Sequence, residues 1–397
     1  MKTHPAKNPA KKLLLAAFLA VIMPVLPARQ NPVKVGAECA DEYLPLLKDK
    51  KVAVLSNHTG MAGREHVVDL LQRSGVNVVC IFSPEHGFRG NAGAGERVGN
   101  STDEKTGIPI KSLYDGKDRK PSPETMRTFD IVIFDIQDVG LRYYTYYITM
   151  VRMMDACAGA GKKMIVLDRP NPNGHYVDGP ILDMKYKSGV GWLPIPVVHG
   201  MTLGEIARMT NGEKWLPENR ECDLTVITCK NYTHKTLYQL PVPPSPNLPD
   251  MKSVYLYPSI CYFEGTPVSL GRGTPFPFQV YGHPGMTGRS FSFTPRDMPG
   301  ARNPPQRDKL CNGVDLRNLP DELIWKNGVD LSYVIDAYNN LGMGDHFFND
   351  MFEKLIGVDY VRKMIKDGKS AQEIKARWKD DVENFKKQRA PYLLYAK

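Results

Sequence analysis

The sequence lacks several patterns that would point directly to a function. Its seven cysteines are odd in number and form no Cys-x-x-Cys pair, which argues against a zinc ribbon and a dense disulfide framework. No His-Glu-x-x-His motif occurs and no block of lysines and arginines recurs, so neither a zinc protease nor a nucleic-acid-binding protein is indicated. Internal repeats and low-complexity segments are also absent. The 397 residues, 42% of them hydrophobic, are enough for two domains with real cores.

A long hydrophobic run occurs only near the N terminus. The unbroken apolar run over residues 13–23 follows four lysines and is too short to span a bilayer comfortably. This order is typical of a secretory signal peptide, and we expect residues 1–28 to be removed near Ala28. Removal takes away four lysines and no acidic residue, so the formal net charge falls from +9 to +5. The mature chain is then expected in the periplasm or outside the cell, without stable membrane insertion. An uncleaved N-terminal anchor is the alternative.

Four apolar runs predict the strands of one parallel sheet, and each run ends in polar residues. Helical patterns over residues 64–74 and 143–158 alternate with these runs, as in α/β proteins. The runs are residues 51–56, 76–82, 131–134 and 164–167. Ligands of open α/β sheets bind beyond the carboxyl ends of the strands, so the polar tips are candidate site residues. The tips contain Asn57, Glu85, His86, Arg89, Asp135, Gln137, Asp138, Asp168, Arg169 and Asn171.

The second half of the chain has a different composition. Prolines in residues 240–249 remove backbone donors and fix extended geometry, which predicts a rigid wall or a crossing between domains. Beyond residue 251, Gly- and aromatic-rich loops, short strands such as 288–293 and helices around 331–340 and 371–387 predict an α+β domain. Thr202 and Glu205 form a capping-box pattern at the start of a helix, so we interpret Glu205 as structural. The Gly-rich residues 90–96 precede no clear helix and do not indicate dinucleotide binding.

Four stretches carry a family resemblance. They are Ser-Pro-Glu-His-Gly-Phe-Arg-Gly at 83–90, Asp-Ile-Gln-Asp-Val-Gly-Leu-Arg-Tyr-Tyr-Thr-Tyr at 135–146, Leu-Asp-Arg-Pro-Asn-Pro-Asn-Gly at 167–174 and Phe-Glu-Gly-Thr at 263–266. From about residue 36 to the C terminus the chain resembles the exo-β-N-acetylmuramidases of the NamZ type. The resemblance implies an α/β fold with a Rossmann-like domain over residues 32–250 and a smaller α+β domain over 251–397. It also implies an active site in the cleft between them and no nucleotide or other cofactor.

The resemblance further implies a reaction and a catalytic residue. The expected activity is hydrolysis of the β-1,4 bond that releases N-acetylmuramic acid (MurNAc) from the non-reducing end of peptidoglycan fragments. The family's glutamate in Pro-Glu-His-Gly falls on Glu85, and a glutamate in a partly dry cleft can act as general acid. His86 could bind Glu85 or the substrate. For the second catalytic group Glu264 is the first choice, because it would come from the second domain. The alternatives are the sugar's own acetamido group or one of the acids Asp135, Asp138 and Asp168.

The enzyme would have to distinguish MurNAc from N-acetylglucosamine (GlcNAc), which lacks the lactyl carboxylate. A planar guanidinium binds a carboxylate through two parallel hydrogen bonds. Arg272, which lies between two glycines, is the first candidate and Arg89 the second. Further substrate-binding candidates are Arg142, Arg169, Tyr144, His199 and Asn247.

Simpler explanations exist for several of these residues. Arg169 could pair with Asp168, and Arg142 could pair with Asp138 four residues earlier. At the level of the whole protein, the chain could be a module that binds peptidoglycan without cleaving it. A metal-dependent amidase is a third reading, although the histidines show no metal-site spacing. The histidines it would use are His58, His86, His199 and His283.

Overall fold

The structure is a computed structural model that describes residues 1–4, 31–84, 88, 99–113 and 119–396. Contacts divide the chain into a short unit of residues 1–32 and a larger unit that begins at residue 33. The signal peptide predicted over residues 1–28 falls mostly outside the described residues, so cleavage and export stay predictions. None of the helices in the described ranges is long and apolar enough to cross a membrane.

Strands are most frequent in the first half of the larger unit. They are β1 (Lys51–Ser56), β2 (Met61–Ala62), β3 (Glu65–His66), β4 (Asn77–Ser83), β5 (Ser101–Thr102), β6 (Pro109–Ser112), β7 (Ile131–Asp135), β8 (Lys163–Leu167), β9 (Asp178–Ile181), β10 (Pro196–Val198), β11 (Asp223–Ile227), β12 (Val280–His283), β13 (Phe291–Phe293) and β14 (Cys311–Asp315).

Helices dominate the second half. The α-helices are α1 (Ala40–Tyr43), α2 (Val67–Arg73), α3 (Pro123–Met126), α4 (Tyr146–Ala160), α5 (Leu203–Gly212), α6 (Met251–Ile260), α7 (Asp321–Asn327), α8 (Ser332–Leu341), α9 (Asp350–Ile356), α10 (Tyr360–Lys366), α11 (Ala371–Ala376) and α12 (Lys379–Gln388). Short 3₁₀ helices occur at Gly36–Glu38, Leu44–Leu47, Met184–Tyr186, Pro217–Asn219, Cys261–Gly265, Gly344–His346 and Ala390–Tyr392.

The central sheet has the strand order β11-β8-β7-β1-β4-β6-β5 in the described part of the chain. All neighbouring strands are parallel except β5, which runs antiparallel to β6 at the edge. The four strands predicted from apolar runs are the central ones, β8, β7, β1 and β4. Their carboxyl ends lie at one edge, so the prediction of a parallel sheet with a single polar rim is confirmed.

Both faces of the sheet are covered by hydrophobic cores. In β1, Ala53 and Leu55 belong to one core, whereas Val52 and Val54 belong to the other. The first core contains residues of α4 and α5, and the second contains residues of α2. A strand that is buried on both faces needs apolar residues at consecutive positions, which explains the unbroken apolar runs in the sequence.

The C-terminal part combines a small sheet with many helices. Strands β12, β14 and β13 form an antiparallel sheet in that order, and α6 to α12 lie in the same part of the chain, which confirms the predicted α+β composition. The first core continues without interruption into this part and includes Leu256 and Phe352. The domain boundary after residue 250 stays a prediction.

The predicted helix over residues 371–387 is wrong in one respect, because two helices, α11 and α12, occupy this range. The chain turns between them at Trp378, which is almost fully buried. The indole Nε1 of Trp378 donates a hydrogen bond to Asp178 Oδ1 at 2.9 Å. Burial of this large side chain against a distant carboxylate accounts for the break.

The capping box predicted for α5 is confirmed. Thr202 Oγ1 accepts a hydrogen bond from the Glu205 amide, and Glu205 Oε2 accepts one from the Thr202 amide at 2.9 Å. Glu205 Oε1 also lies 3.0 Å from His234 Nε2. Both oxygens of Glu205 are thus used within the fold, in agreement with its interpretation as structural.

Candidate active site

The carboxyl ends of β8, β7, β1 and β4 bring polar residues from distant parts of the sequence to one edge of the sheet. Three of these strands end in, or are followed by, residues 57–59, 135–138 and 168–171. We call these residues the rim. Asn57, Asp135 and Asp168 in the rim have almost no exposed surface. Buried polar groups need hydrogen-bond partners, so the partners of each residue indicate whether it supports the fold or remains available to a ligand.

Arg169 holds Asp135 in a buried ion pair. Arg169 Nε lies 2.6 Å from Asp135 Oδ1, and Nη2 lies 2.9 Å from Oδ2. Nη2 also donates to the carbonyl oxygen of Met61 at 2.8 Å. The alternative pairing of Arg169 with Asp168 is therefore wrong, because these two adjacent residues have different partners. Both oxygens of Asp135 are used, so the pair fixes the geometry of the rim.

Thr59 connects the ends of β1 and β7. Asn57 Oδ1 accepts hydrogen bonds from the Thr59 amide at 3.0 Å and from its hydroxyl at 2.6 Å. Thr59 Oγ1 accepts a bond from the Gln137 amide at 2.9 Å, and Gln137 Nε2 donates to the carbonyl of Pro170 at 2.7 Å. Asn57 and Gln137 thus belong to one network across three strand ends. Thr59 was not among the predicted site residues, although it belongs to the same polar strand tip as Asn57.

Asp138 is satisfied at only one of its two oxygens. Oδ1 accepts a hydrogen bond from the Gly140 amide at 2.7 Å, whereas Oδ2 is buried and has no partner in the described ranges. Burial raises the pKa of Asp138 to about 7, even though the amides of Gly140 and Val139 favour the charged form. A carboxyl group with this pKa can exchange a proton near neutral pH, which is what general acid–base chemistry requires.

Asp168 is bonded to α5 and to the C-terminal segment. Oδ1 accepts a hydrogen bond from the Gly204 amide at 2.8 Å. Oδ2 accepts bonds from the hydroxyls of Thr202 and Tyr395, each at 2.6 Å. Burial raises the pKa of Asp168 to about 6, although these hydroxyls act in the opposite direction. With both oxygens occupied, Asp168 anchors the start of α5.

Arg142 lies in the interior, away from any carboxylate partner. Its guanidinium is fully buried and donates four hydrogen bonds at 2.7–3.0 Å to backbone carbonyls. The acceptors are the carbonyls of Pro180, Ile195, Leu355 and Ile356. Asp138 is not among them, so the suggested pairing of Arg142 with Asp138 is wrong. Arg142 instead joins the loop before α4 to α9.

Asn171 and His199 also contact the backbone. Asn171 Nδ2 donates to the carbonyl of Met201 at 2.8 Å, and its side chain packs on Gly140, where the backbone φ is +81°. A Cβ at Gly140 would lie 2.2 Å from Asn171 Oδ1, so the position requires glycine. His199 Nδ1 accepts a hydrogen bond from the Met201 amide at 3.2 Å, and burial lowers the pKa of His199 to about 3. His199 is therefore uncharged at neutral pH.

A small cavity of about 110 Å³ brings together four predicted residues that are far apart in sequence, namely Tyr144, Asn247, Glu264 and Arg272. We call it the Arg272 cavity. Its other lining residues are Tyr143, Thr145, Tyr146, Val190, Ser245, Leu248, Tyr257, Cys261, Phe278 and Leu355. Sequence reasoning missed Ser245 and Tyr257 as lining residues, because one lies in the Pro-rich segment and the other in an apolar helix.

Glu264 and Arg272 form an ion pair in this cavity. Arg272 Nη2 and Nε lie 2.6 and 3.3 Å from Glu264 Oε1. The side chains of Arg272 and Glu264 keep 19% and 31% of their surface exposed. Gly271 and Gly273 on either side of Arg272 have φ values of +86° and +80°, which glycine adopts without strain. Glu264, the predicted second catalytic group, and Arg272, predicted to bind the lactyl carboxylate, are thus direct partners.

The Pro-rich segment over residues 240–249 contacts both the rim and the Arg272 cavity. His58 Nε2 lies 2.9 Å from the carbonyl oxygen of Pro243, and the Tyr144 hydroxyl donates to the carbonyl of the next proline at 2.8 Å. Burial and the nearby charge of Asp138 raise the pKa of Tyr144. His58 of the rim and Tyr144 of the cavity thus contact adjacent prolines of this segment, so the rim adjoins the Arg272 cavity.

Three predicted residues lie outside the described part of the chain, namely Glu85, His86 and Arg89. The described residues next to them in sequence adjoin the rim. Ser83 ends β4, the neighbour of β1 in the sheet. Phe88 is buried and contacts His66 edge-on, with ring centroids 5.1 Å apart. His66 Nε2 lies 2.8 Å from the carbonyl oxygen of Asn57, so Phe88 contacts a residue that supports the rim.

The rim presents hydrogen-bonding groups and no arrangement suited to a metal ion. Within the described ranges, no three His, Cys, Asp or Glu side chains converge as possible metal ligands. Asn57 Nδ2 and Asp138 Oδ2 are buried and have no partners among the described residues. Such atoms are costly to leave unsatisfied, so each of these two would gain from a further hydrogen-bond partner.

The fold and the site define an α/β protein of Rossmann-like topology in which a polar rim adjoins a cavity formed with the C-terminal part. Two family models match the sequence, described as the N-terminal domain of the exo-β-N-acetylmuramidase NamZ over residues 52–252 and its C-terminal domain over 255–395. The chain belongs to the NamZ family.

Known relatives agree with this assignment. The chain is 38% identical to the peptidoglycan β-N-acetylmuramidase NamZ of Bacillus subtilis (strain 168), over 93% of this chain and 92% of the relative. A crystal structure of a DUF1343 family protein from Bacteroides fragilis NCTC 9343 is 67% identical, with a TM-score of 0.87 over 92% of this chain and 99% of that one. Another from the same organism is 30% identical, with a TM-score of 0.75 over 91% and 99%.

Proposed function

We propose that the protein is an exo-acting glycoside hydrolase that releases MurNAc from the non-reducing end of peptidoglycan fragments. The observation that carries this proposal is the match to both NamZ domains along the chain, together with 38% identity to a peptidoglycan β-N-acetylmuramidase. Cleavage of a glycosidic bond requires an acid for the leaving oxygen and a group that stabilises or attacks the anomeric carbon. The rim and the Arg272 cavity contain residues suited to these tasks.

We assign the role of general acid and base to Glu85. The assignment rests on the Pro-Glu-His-Gly motif and on the position of Glu85 two residues after the end of β4, a strand next to β1. His86 would bind Glu85 or the substrate. A glutamate that protonates the leaving oxygen and then activates water would meet the acid and base requirements of the reaction.

The unpaired rim atoms suit the acetamido group of MurNAc. This group carries one N–H donor and one carbonyl acceptor. Asn57 Nδ2 can donate to the carbonyl oxygen, and Asp138 Oδ2 can accept from the N–H, so both buried atoms would gain the partners that they lack. The same contacts would orient the carbonyl oxygen toward the anomeric carbon if the acetamido group acts as the nucleophile.

The Arg272 cavity suits the lactyl carboxylate. Arg272 Nη2 and Nε are bonded to Glu264 Oε1, so a substrate carboxylate would either bind the remaining Nη1 or displace Glu264. Displacement would free the Glu264 carboxylate to act at the anomeric carbon, the role proposed for it as second catalytic group. Tyr144 and Asn247 would line the sugar site.

We also propose that the protein is exported and acts in the periplasm or outside the cell. The support is that the first 28 residues contain lysines followed by an apolar run, an order that is typical of a secretory signal. Fractionation of the native host with antibodies against the mature chain would test this. Recovery of the full-length, uncleaved chain from the cytoplasm would contradict it.

The proposed function is tested by Glu85→Gln, which keeps the size of the side chain but removes its acid. The variant should lose at least about 100-fold in release of MurNAc from a chromogenic β-muramide, while its circular dichroism stays unchanged. Glu124→Gln, at an exposed position in α3, is the matched control and should retain full activity. Near-normal turnover by the Glu85 variant would remove this residue from the mechanism.

The rival function, a module that binds muropeptides without cleaving them, makes a different prediction. It requires saturable binding with no reducing sugar formed by the wild-type protein after prolonged incubation with peptidoglycan fragments. A metal-dependent amidase would instead lose its activity on thorough chelation and would release peptide stems. Release of free MurNAc that survives chelation supports the glycoside hydrolase.

A further inference from the structure

Another cavity, of about 380 Å³, lies between the start of β9, the end of α7, and helices α11 and α12. It shares no lining residue with the Arg272 cavity. Its volume falls in the range of small-molecule sites in proteins. We call it the Trp325 cavity, after the partly exposed indole in its wall.

Asp178 fixes the walls of the Trp325 cavity. Its carboxylate accepts hydrogen bonds from the Trp378 indole at 2.9 Å, from the Val329 amide at 2.9 Å and from Lys375 Nζ at 2.5 Å. The donors come from the turn between α11 and α12, from the loop after α7 and from α11 itself. At Gly328, where φ is +61°, a Cβ would lie 2.3 Å from Asp178 Oδ2. The cavity is therefore formed without a ligand, which lowers the cost of binding one.

Two aromatic rings give the cavity an apolar surface. Trp325 and Tyr176 are both half-buried and line it. Tyr255 and His175 contact the Trp325 ring edge-on, with centroid distances of 5.1 and 5.5 Å, so the orientation of the indole is fixed. Rigid, partly exposed aromatic rings provide flat surfaces for the apolar C–H face of a sugar ring.

Lysines give the same cavity a positive charge. Lys375 forms an ion pair with Asp178, and Lys386 forms one with Glu383 at 2.7 Å. The remaining two, Lys326 and Lys379, are exposed and form no ion pair within the described part of the chain. A neutral ligand would gain only ordinary hydrogen bonds from these two cations, whereas a carboxylate would gain stronger, charge-assisted ones.

We propose that the Trp325 cavity is an accessory site for an acidic saccharide, that is, a sugar unit that carries a carboxylate. For the source of this ligand, the inference rests on the proposed function, because peptidoglycan supplies sugars with lactyl carboxylates. The site would keep the enzyme on the polymer while the active site acts at chain ends. Two weak sites on one polymer raise the overall affinity through the effective concentration of the second contact.

Calorimetric titration of the full chain tests the ligand class. The probe is the disaccharide GlcNAc-β-1,4-MurNAc, which the proposed reaction does not consume because GlcNAc occupies its non-reducing end. The matched neutral probe is chitobiose, which lacks the lactyl carboxylate. We expect the acidic disaccharide to bind at least about tenfold more tightly than chitobiose. Equal binding of both sugars, or of neither, would overturn the proposal.

The double variant Lys326→Glu/Lys379→Glu tests the location. It should lose at least about tenfold in affinity for the acidic disaccharide and should sediment less with insoluble peptidoglycan. Its kcat/KM on the small chromogenic muramide should stay within about twofold of wild type. The control Lys309→Glu/Lys354→Glu has the same charge change at exposed positions outside the cavity and should bind normally. Unchanged binding by the first variant, or an equal loss in the control, would refute the site.

The outcomes separate this inference from the proposed function. If wild-type protein does not release MurNAc from the muramide, the proposed function fails, but the titration still decides whether an acidic saccharide binds at Lys326 and Lys379. If the double variant loses activity on the small muramide, these lysines serve the active site, and the accessory role is wrong.

Discussion

Replacing Asp138 by asparagine should stabilise the protein at neutral pH and impair it as an enzyme. The substitution keeps the oxygen that accepts the Gly140 amide and replaces the unpaired, buried Oδ2 by a neutral NH₂ group. The ionised form of Asp138 is unfavourable in the folded protein, because burial raises its pKa from 3.8 to about 7. Asparagine carries no charge and avoids this cost.

The pH dependence follows from this pKa. Below about pH 4, Asp138 is protonated in both the folded and the unfolded chain, so the substitution should change stability little. Between about pH 4 and 7 the unfolded chain releases the proton while the folded protein retains it, and wild-type stability decreases. At 1.36 kcal/mol per pKa unit, the unfolding free energy of the variant should exceed that of wild type by at most about 4 kcal/mol above pH 7. Water near the group would make the measured gain smaller.

Thermal or urea unfolding of wild type and variant at pH 4.5, 6 and 8 measures this effect. The difference in unfolding free energy should grow with pH, while kcat/KM for the chromogenic muramide falls about 100-fold because the acetamido group loses its acceptor. Asp168→Asn is the contrast. Burial also raises the pKa of Asp168, to about 6, but both of its oxygens accept hydrogen bonds, and an NH₂ group in place of one oxygen loses at least one of them. This loss offsets the removal of the charge, so at pH 8 the Asp168 variant should be stabilised less than the Asp138 variant. A stability difference that does not vary with pH, or full activity of the Asp138 variant, would refute the reasoning.

Two further predictions concern the arginines. Arg272→Ala should lower kcat/KM for β-MurNAc substrates by about ten- to a hundredfold more than for β-GlcNAc analogues. Arg272→Lys should recover part of this loss, because lysine keeps the charge. Equal losses on both sugars would show that another residue binds the lactyl carboxylate. Arg142→Met should destabilise the protein by about 3 kcal/mol in urea unfolding, because buried carbonyls lose their donor, and should leave KM unchanged. The exposed Arg302→Met serves as its control, and a stable Arg142 variant with a raised KM would instead indicate substrate binding.

The strands and the edge that they share could be predicted from the sequence. A strand that is buried on both faces must be apolar at nearly every position, and runs such as β1 and β7 show this without any knowledge of their neighbours. Alternation with helices implies parallel strands, and parallel strands place their carboxyl ends together. The capping box of α5 could also be predicted from the sequence, because its two partners are only three residues apart.

The partner of each polar side chain was decided by the tertiary structure alone. Asp168 and Arg169 are adjacent, yet successive residues of an extended chain point to opposite sides, so one binds Thr202 of the α5 cap and the other binds Asp135 of β7. From the sequence, Arg142 was a candidate to bind substrate or to pair with Asp138 four residues earlier. In the fold it is buried, and it donates to carbonyls more than 30 residues away. Glu264 and Arg272 could each be selected from the sequence, but their ion pair depends on the turn between them. Such contacts join groups whose directions are set by packing, and a linear pattern does not contain that information.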